Sequence, residues 1–161
     1  MCILVNRKLN TLNVRIAGVL SSFEILCVDV LHRNVKCRFI TVYRPTDTIS
    51  QSEEHTSQLV HCLKNLIRVS WPCYIAADFN APNISWFTPA GPASQSHTDN
   101  VLLDFIAGYG FSQIVNAATR NESLLDLVLD NELNTIFSMR VDPPFGDSDH
   151  CRVNFSIALL Y

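Results

Sequence analysis

The most constraining stretch of this chain runs from Pro72 to Pro82. Between the two prolines lie Cys73, Tyr74, Ile75, Ala76 and Ala77, then Asp78, Phe79, Asn80 and Ala81. A short, largely apolar run bounded by residues that cannot donate to a ladder has the length and character of a buried strand. Asp78 ends it. Strand side chains alternate faces, which predicts Asp78 and Asn80 on one side and Phe79 on the other. A carboxylate and an amide at the mouth of a buried strand suit a general base beside a neutral orienting group. Taken alone, the same residues also read as an Asp-Phe-Asn turn without chemistry. A given tripeptide recurs by chance in roughly one chain in fifty of this length, so the motif requires partners elsewhere.

The length of 161 residues predicts one domain, and 48% hydrophobic residues suffice for its core. A net charge of -3 does not advertise nucleic-acid binding, so a basic contact surface has to be local. An acidic site holding a cation fits the same balance. Cys2, Cys27, Cys37, Cys62, Cys73 and Cys151 form no CxxC pair and mostly sit in apolar runs. They read as free thiols in a reducing compartment, rather than a disulfide framework or a zinc site. The charges of Arg7 and Lys8 follow the short apolar Ile3–Val5 run, against the order of a secretory signal. No apolar stretch is long enough to span a membrane. A soluble, intracellular protein with no membrane partner is the expectation.

In chain order, Cys2–Val5 is predicted as a strand, Asn13–Leu20 as a second, Phe23–Val30 and Val35–Tyr43 as two more. The turn at Leu31–Asn34 makes the last two an antiparallel hairpin. Ser50–Val69 reads as a helix, with Ser50 and Glu53 at capping-box spacing and Leu59, Val60, Leu63, Leu66 and Ile67 on one face. His55 and His61 in it have no acidic or thiol partner at ligand spacing and read as surface or packing residues. Asn83–Ser96 is a loop in which Trp86 and Phe87 either meet a ligand or plug the loop down. Thr98 or Asp99 caps a helix ending at Gly108 and Gly110. Strands are predicted at Phe111–Val115, Leu124–Leu129, Asn134–Val141 and around Val153, Phe155 and Ile157.

Three carboxylates then share a setting: Asp78 at a strand end, Asp126 inside an apolar strand, and Asp149 just before the last strand. A lone carboxylate in Leu124–Leu129 is costly unless it is paired or faces water. His150 is the natural partner. A carboxylate accepting from a ring N–H fixes the tautomer and favours a charged imidazole that can meet a phosphate. Ser148, Asp149 and His150 are no hydrolase triad by themselves, because adjacent side chains diverge and no strand-turn-helix elbow surrounds the serine. No glycine-rich phosphate loop is present.

The order of these residues resembles the endonuclease/exonuclease/phosphatase superfamily, and within it most closely the endonuclease domain of non-LTR retrotransposons. The resemblance rests on Val42-Tyr43-Arg44-Pro45, Ala77-Asp78-Phe79-Asn80, Thr119-Arg120 leading into Leu125-Asp126-Leu127-Val128-Leu129, and Pro143-Pro144-Phe145-Gly146 with Ser148-Asp149-His150. It implies an α+β fold, a four-layer α/β sandwich of two mostly antiparallel sheets. It also implies phosphodiester hydrolysis dependent on Mg2+ or Mn2+, with DNA as partner and no small-molecule cofactor. By resemblance, Asp78 deprotonates or positions the attacking water and takes part in metal binding. Asn80 holds that water or the phosphate, and Asp149 helps bind the metal or the water network. His150, braced by Asp126, stabilises the pentacovalent phosphate. Tyr43 touches the phosphate near the leaving group, while Thr119 and Ser148 belong to the substrate cleft. Hard oxygen ligands and positive groups at developing charge agree with that chemistry.

The resemblance further implies an Asn-bearing strand and a strand with a metal-ligand Glu before Tyr43, and neither matches here. Glu24 lacks the flanking pattern and stays outside the implied site. The expectation is therefore a partial fold, residues 1–161 entering the domain partway through its N-terminal half, with impaired chemistry. A nuclear location and a reverse transcriptase module in the full element are implied as well. Two rival readings remain: a catalytically inactive retroelement relic, and a phosphatase or phosphodiesterase acting on another phosphate ester.

Overall fold

A computed structural model describes residues 1–16, 22–47, 52–86, 96–132 and 134–158. Its centre is a six-stranded sheet in the order β1-β2-β3-β4-β6-β5, where β1 is Asn10–Asn13, β2 Glu24–His32, β3 Val35–Tyr43, β4 Cys73–Asp78, β5 Ser112–Gln113 and β6 Asp126–Asp130. A second sheet pairs β7 (Ile136–Asp142) with β8 (Arg152–Ile157). Every pairing is antiparallel except β3 with β4, and these two are joined through helix α1 (Glu53–Leu66). Helix α2 (His97–Gly108) packs against α1. This is the expected α+β sandwich of two mostly antiparallel sheets.

Register and alternation assign each strand residue to a face. Ile25, Cys27, Ile40, Val42, Ile75, Ala77, Leu127 and Leu129 share a buried cluster with Leu59, Leu63, Leu102 and Phe105 of the helices. The opposite face carries Val28, Val30, Cys37 and Tyr74, against which Ile136 and Ile157 of the second sheet pack. Phe39 stacks on its cross-strand neighbour Tyr74 at 5.3 Å between ring centroids. The Tyr74 hydroxyl donates to Thr135 Oγ1 at 3.0 Å, and Thr135 donates to Asp130 at 2.9 Å, linking the sheets through a satisfied polar seat.

The hairpin β2–β3 forms as predicted. His32 pairs with Val35 across a two-residue loop in which Arg33 and Asn34 have φ of 47° and 69°. Two left-handed residues match the twist of the flanking strands. Other boundaries differ from expectation. Cys2–Val5 forms no strand; the first strand lies at Asn10–Asn13, while the remainder of the predicted Asn13–Leu20 strand is irregular to residue 16 and lies outside the described residues from 17 onward. Helix α1 starts later than predicted because Ser52 caps it, accepting from His55 N at 3.4 Å; Ser50 lies outside the described residues. Ser96, not Thr98 or Asp99, caps α2. It accepts from Asp99 N while the Asp99 carboxylate accepts from Ser96 N, a reciprocal capping box with both bonds at 3.2 Å. The predicted Phe111–Val115 strand shortens to two residues, and β6 begins at Asp126 rather than at Leu124.

All six cysteines are free. Burial pushes the thiols of Cys27, Cys37 and Cys73 up to about 11, which leaves them as packing residues. His55 Nδ1 lies 2.9 Å from Ser52 Oγ and His61 Nε2 lies 3.1 Å from Asn65 Nδ2, local contacts within α1 and its cap. Trp86 packs against the core, the plug role, while Phe87 lies outside the described residues. Among the described residues, no helix is long and apolar enough to cross a membrane.

Candidate active site

Four strands deliver the site as one row. Glu24 of β2 pairs with Tyr43 of β3, Tyr43 with Asp78 of β4, and Asp78 with Asp126 of β6. Register partners point to the same side of a sheet. All four therefore face away from the helices, and all four line one cavity of about 580 Å³ together with His150.

Asp78, Asp126 and His150 each offer a ligand atom within 4.8 Å of the others. His150 Nδ1 lies 2.8 Å from Asp126 Oδ2, so the expected brace is present. Asp78 is pushed above the ordinary carboxylate range, first by burial and then by the Asp126 charge. The hydrogen bond from Asn80 N and the charges of His150 and Arg120 act in the opposite direction. Two carboxylates opposed on neighbouring strands repel each other, and a cation between them relieves that repulsion. The donor set thus fits a divalent ion, with hard carboxylate oxygens that suit Mg2+ or Mn2+.

The turn after β4 is held by Arg44. Arg44 N donates to Asp78 O at 2.9 Å and Arg44 Nε to Phe79 O at 2.7 Å, while Asn80 Nδ2 donates to Arg44 O at 2.7 Å. Phe79 is completely buried under the helices. Asn80 adopts a φ of 46°, stabilised by its own N–H donating to Asp78 Oδ1 at 3.1 Å. That left-handed residue ends the strand alternation, so Asn80 does not share the Asp78 face as predicted. It lines an adjoining cleft of about 440 Å³ with Thr46, Asn83, Thr98 and Arg120. The Arg44 guanidinium, also bonded to Thr56 Oγ1 at 3.0 Å, is pushed down to about 10 by burial.

Thr119 joins the two halves of the cluster. Its hydroxyl accepts from Leu125 N at 3.1 Å and Asp126 N at 3.0 Å, and its carbonyl accepts from Cys151 N at 2.7 Å. Thr119 is fully buried. Its expected place in the cleft is corrected accordingly: the hydroxyl is turned inward and sets the start of β6. Ser148 is exposed, and its hydroxyl bonds the backbone of His150, accepting from N at 3.1 Å and donating to O at 3.3 Å. Asp149 turns away from His150 and meets Arg120, whose Nε and Nη2 lie 2.8 and 2.6 Å from Asp149 Oδ2. Asp149 is therefore outside the Asp78–Asp126–His150 cluster, and the Arg120 bond holds its carboxyl below the usual range.

Sequence reasoning missed three residues here. Glu24 has no flanking pattern to mark it, yet register places it in the row; its carboxylate meets the Met1 ammonium at 2.9 Å. Arg44 and Arg120 appeared only as parts of motifs. The doublet Thr119-Arg120 next to an isolated Asp was the available signal for the second.

The endonuclease–reverse transcriptase family model matches residues 37–154. Among solved structures the chain is similar to the endonuclease domain of TRAS1, a telomere-specific non-LTR retrotransposon. The TM-score is 0.70 at 19% identity, over 96% of this chain and 69% of that one. It is also similar to the human Nocturnin catalytic domain, with TM-score 0.55 and 15% identity over 92% of this chain and 60% of the other. A third is a humanized D. rerio TDP2 carrying 14 mutations, with TM-score 0.55 and 13% identity over 88% and 63%. The chain thus spans about two thirds of these structures. No curated protein sequence matches it.

Proposed function

This chain belongs to the endonuclease–reverse transcriptase family of the endonuclease/exonuclease/phosphatase superfamily, and on that premise we propose that it is a divalent-metal-dependent phosphodiesterase that nicks DNA. The observation that carries the proposal is the cluster of Asp78, Asp126 and His150 in an open cavity beside Tyr43. Two carboxylates and an imidazole in one water-accessible cavity supply a base, a cation seat and a proton donor for an in-line attack on phosphorus.

Asp78, at the mouth of β4, takes the proton of the attacking water. Its place at the strand end, lining the open cavity beside Asp126 and His150, puts an acceptor oxygen where a water can reach it. His150, with Nδ1 held by Asp126, presents its other ring nitrogen to the phosphate oxygens as charge accumulates. Tyr43 offers a phenol hydroxyl from the same row. Asp78 and Asp126 would hold a divalent cation, which would supply Lewis-acid stabilisation of phosphate charge. In the full element the nick is proposed to leave a 3′-hydroxyl that primes a reverse transcriptase module, in the nucleus.

The test is nicking of supercoiled plasmid with Mg2+, by the wild type beside Asp78→Ala. The expected result is nicking by the wild type that EDTA and the substitution both abolish. Equal activity in the two proteins sinks the assignment of Asp78. Hydrolysis of a small phosphate ester with no action on DNA moves the chain to the phosphatase reading.

A further inference from the structure

We propose that Arg120 contacts a backbone phosphate of the bound strand, and that Asp149 is the positioning residue that aims it rather than a ligand of the cation. This rests on the DNA-cleaving function proposed above.

The site is short of positive charge. Glu24, Asp78 and Asp126 face the cavity, and Asp99 lies in the adjoining cleft. Among the described residues, Arg120 is the only lysine or arginine lining either space. With the Met1 ammonium already paired to Glu24, a polyanion entering here has one guanidinium to meet. The same arginine lies close enough to Asp78 for its charge to offset part of the burial that raises that carboxyl.

The aim of Arg120 is set by its backbone and by Asp149. Arg120 and Ser123 close a small antiparallel bridge in the turn before β6. Cys151 N bonds the preceding carbonyl of Thr119 and brings the Ser148–His150 loop alongside. Nε and Nη2 of Arg120 then converge on one oxygen, Asp149 Oδ2. That pairing turns the Nε–Nη2 edge of the guanidinium to Asp149, while Nη1 has no hydrogen-bond partner among the described residues. A planar fork held on one edge and open on the other is suited to a phosphate oxygen. The neighbouring side chains diverge, with His150 turned in to Asp126 and Asp149 turned out to Arg120. Asp149 is mostly exposed, at 62% of its side chain, and its committed oxygen is not among the clustered ligand atoms.

The experiment combines DNA binding with metal binding. Affinity for a short fluorescent duplex is measured across a salt series in Ca2+, and Mn2+ binding by the protein alone is followed by electron paramagnetic resonance. Arg120→Gln is expected to weaken binding to all sequences alike and to lower the salt slope by about one. Arg120→Lys keeps the slope, which guards against misfolding as the cause. Asp149→Asn is expected to weaken DNA binding, add nothing in the Arg120→Gln background, and leave Mn2+ binding unchanged. Asp126→Asn, by contrast, reduces Mn2+ binding. An unchanged salt slope in Arg120→Gln, additive effects of the two substitutions, or loss of Mn2+ binding in Asp149→Asn overturns the inference. A wild type that binds Mn2+ but no DNA overturns the underlying function as well.

Discussion

Asp78 and Asp126 stand directly opposite each other on the adjacent antiparallel strands β4 and β6. Without a cation this pair is a source of repulsion, and Asp78 carries the consequence as a raised proton affinity. A carboxyl whose folded pKa lies above its unfolded value holds its proton longer in the native state. Stability therefore falls as pH rises from the unfolded value through the folded one, and the cost persists at neutral pH. Asp78→Asn removes that cost. The expected outcome in EDTA is a gain of about 1 kcal/mol, or about 2–4 °C in Tm, together with loss of nicking. Adding Mg2+ is expected to raise the wild-type Tm and to do little for the variant. A lower Tm for Asp78→Asn in EDTA contradicts the repulsion argument.

Asp29 shows the opposite sign. Burial pushes its carboxyl up, but hydrogen bonds from Arg38 and Lys36 outweigh this and hold it below the ordinary value of 3.8. Arg38 Nε and Nη2 reach the two carboxylate oxygens at 2.6 and 3.0 Å. Stability from this pair is fully present above the unfolded pKa and is lost as pH falls through the folded one. Asp29→Asn leaves Arg38 buried without its counter-charge and is expected to cost about 3–5 kcal/mol at pH 7. Urea denaturation at pH 7 and at pH 3 measures this: the difference between the two proteins narrows at the lower pH.

Thr119 supplies one hydroxyl to two backbone donors, the buried Leu125 N and the half-buried Asp126 N. Thr119→Val keeps the shape and leaves both N–H groups without an acceptor, an expected loss of about 2 kcal/mol. Because one of those donors belongs to Asp126, activity is expected to fall as well. Thr119→Ser restores both. A Val variant as stable as the wild type in urea rules out this account of the hydroxyl.

The tip of the β2–β3 hairpin is improvable. Arg33 and Asn34 both occupy left-handed backbone, where Asn followed by Gly is preferred. The double substitution Arg33→Asn/Asn34→Gly is expected to add about 1 kcal/mol, seen as a higher Tm with unchanged nicking.

The hairpin, the two helices and the β4 strand were legible because their signals are local: alternation, helical spacing, paired turn residues. The ends of the helices were less so. Ser50 and Ser52 compete for the same role two residues apart, and chain direction rather than side-chain type decides between them. Asp78, Asp126 and His150 could be picked out because each interrupts or borders an apolar run. Glu24 could not, since its meaning comes from pairing with Tyr43, and register is invisible in a single strand. The Arg120–Asp149 pair spans 29 positions, beyond the reach of any periodic pattern. Sequence alternation also carried Asn80 to the wrong cavity, because one left-handed residue breaks the period.

The row Glu24, Tyr43, Asp78, Asp126 takes one residue from each of four neighbouring strands. Because side chains alternate, a strand that pairs one position out of step sends its member of the row beneath the helices and puts an aliphatic side chain, such as Ile25 in place of Glu24, where the polar one stood. Cation binding by the purified protein is then a parity check on its assembly. A preparation in which β4 or β6 has slipped keeps its strand content and loses Asp78 or Asp126 from the cluster, so bound Mn2+ per chain is expected to count the molecules in which these two strands are correctly registered, where circular dichroism does not.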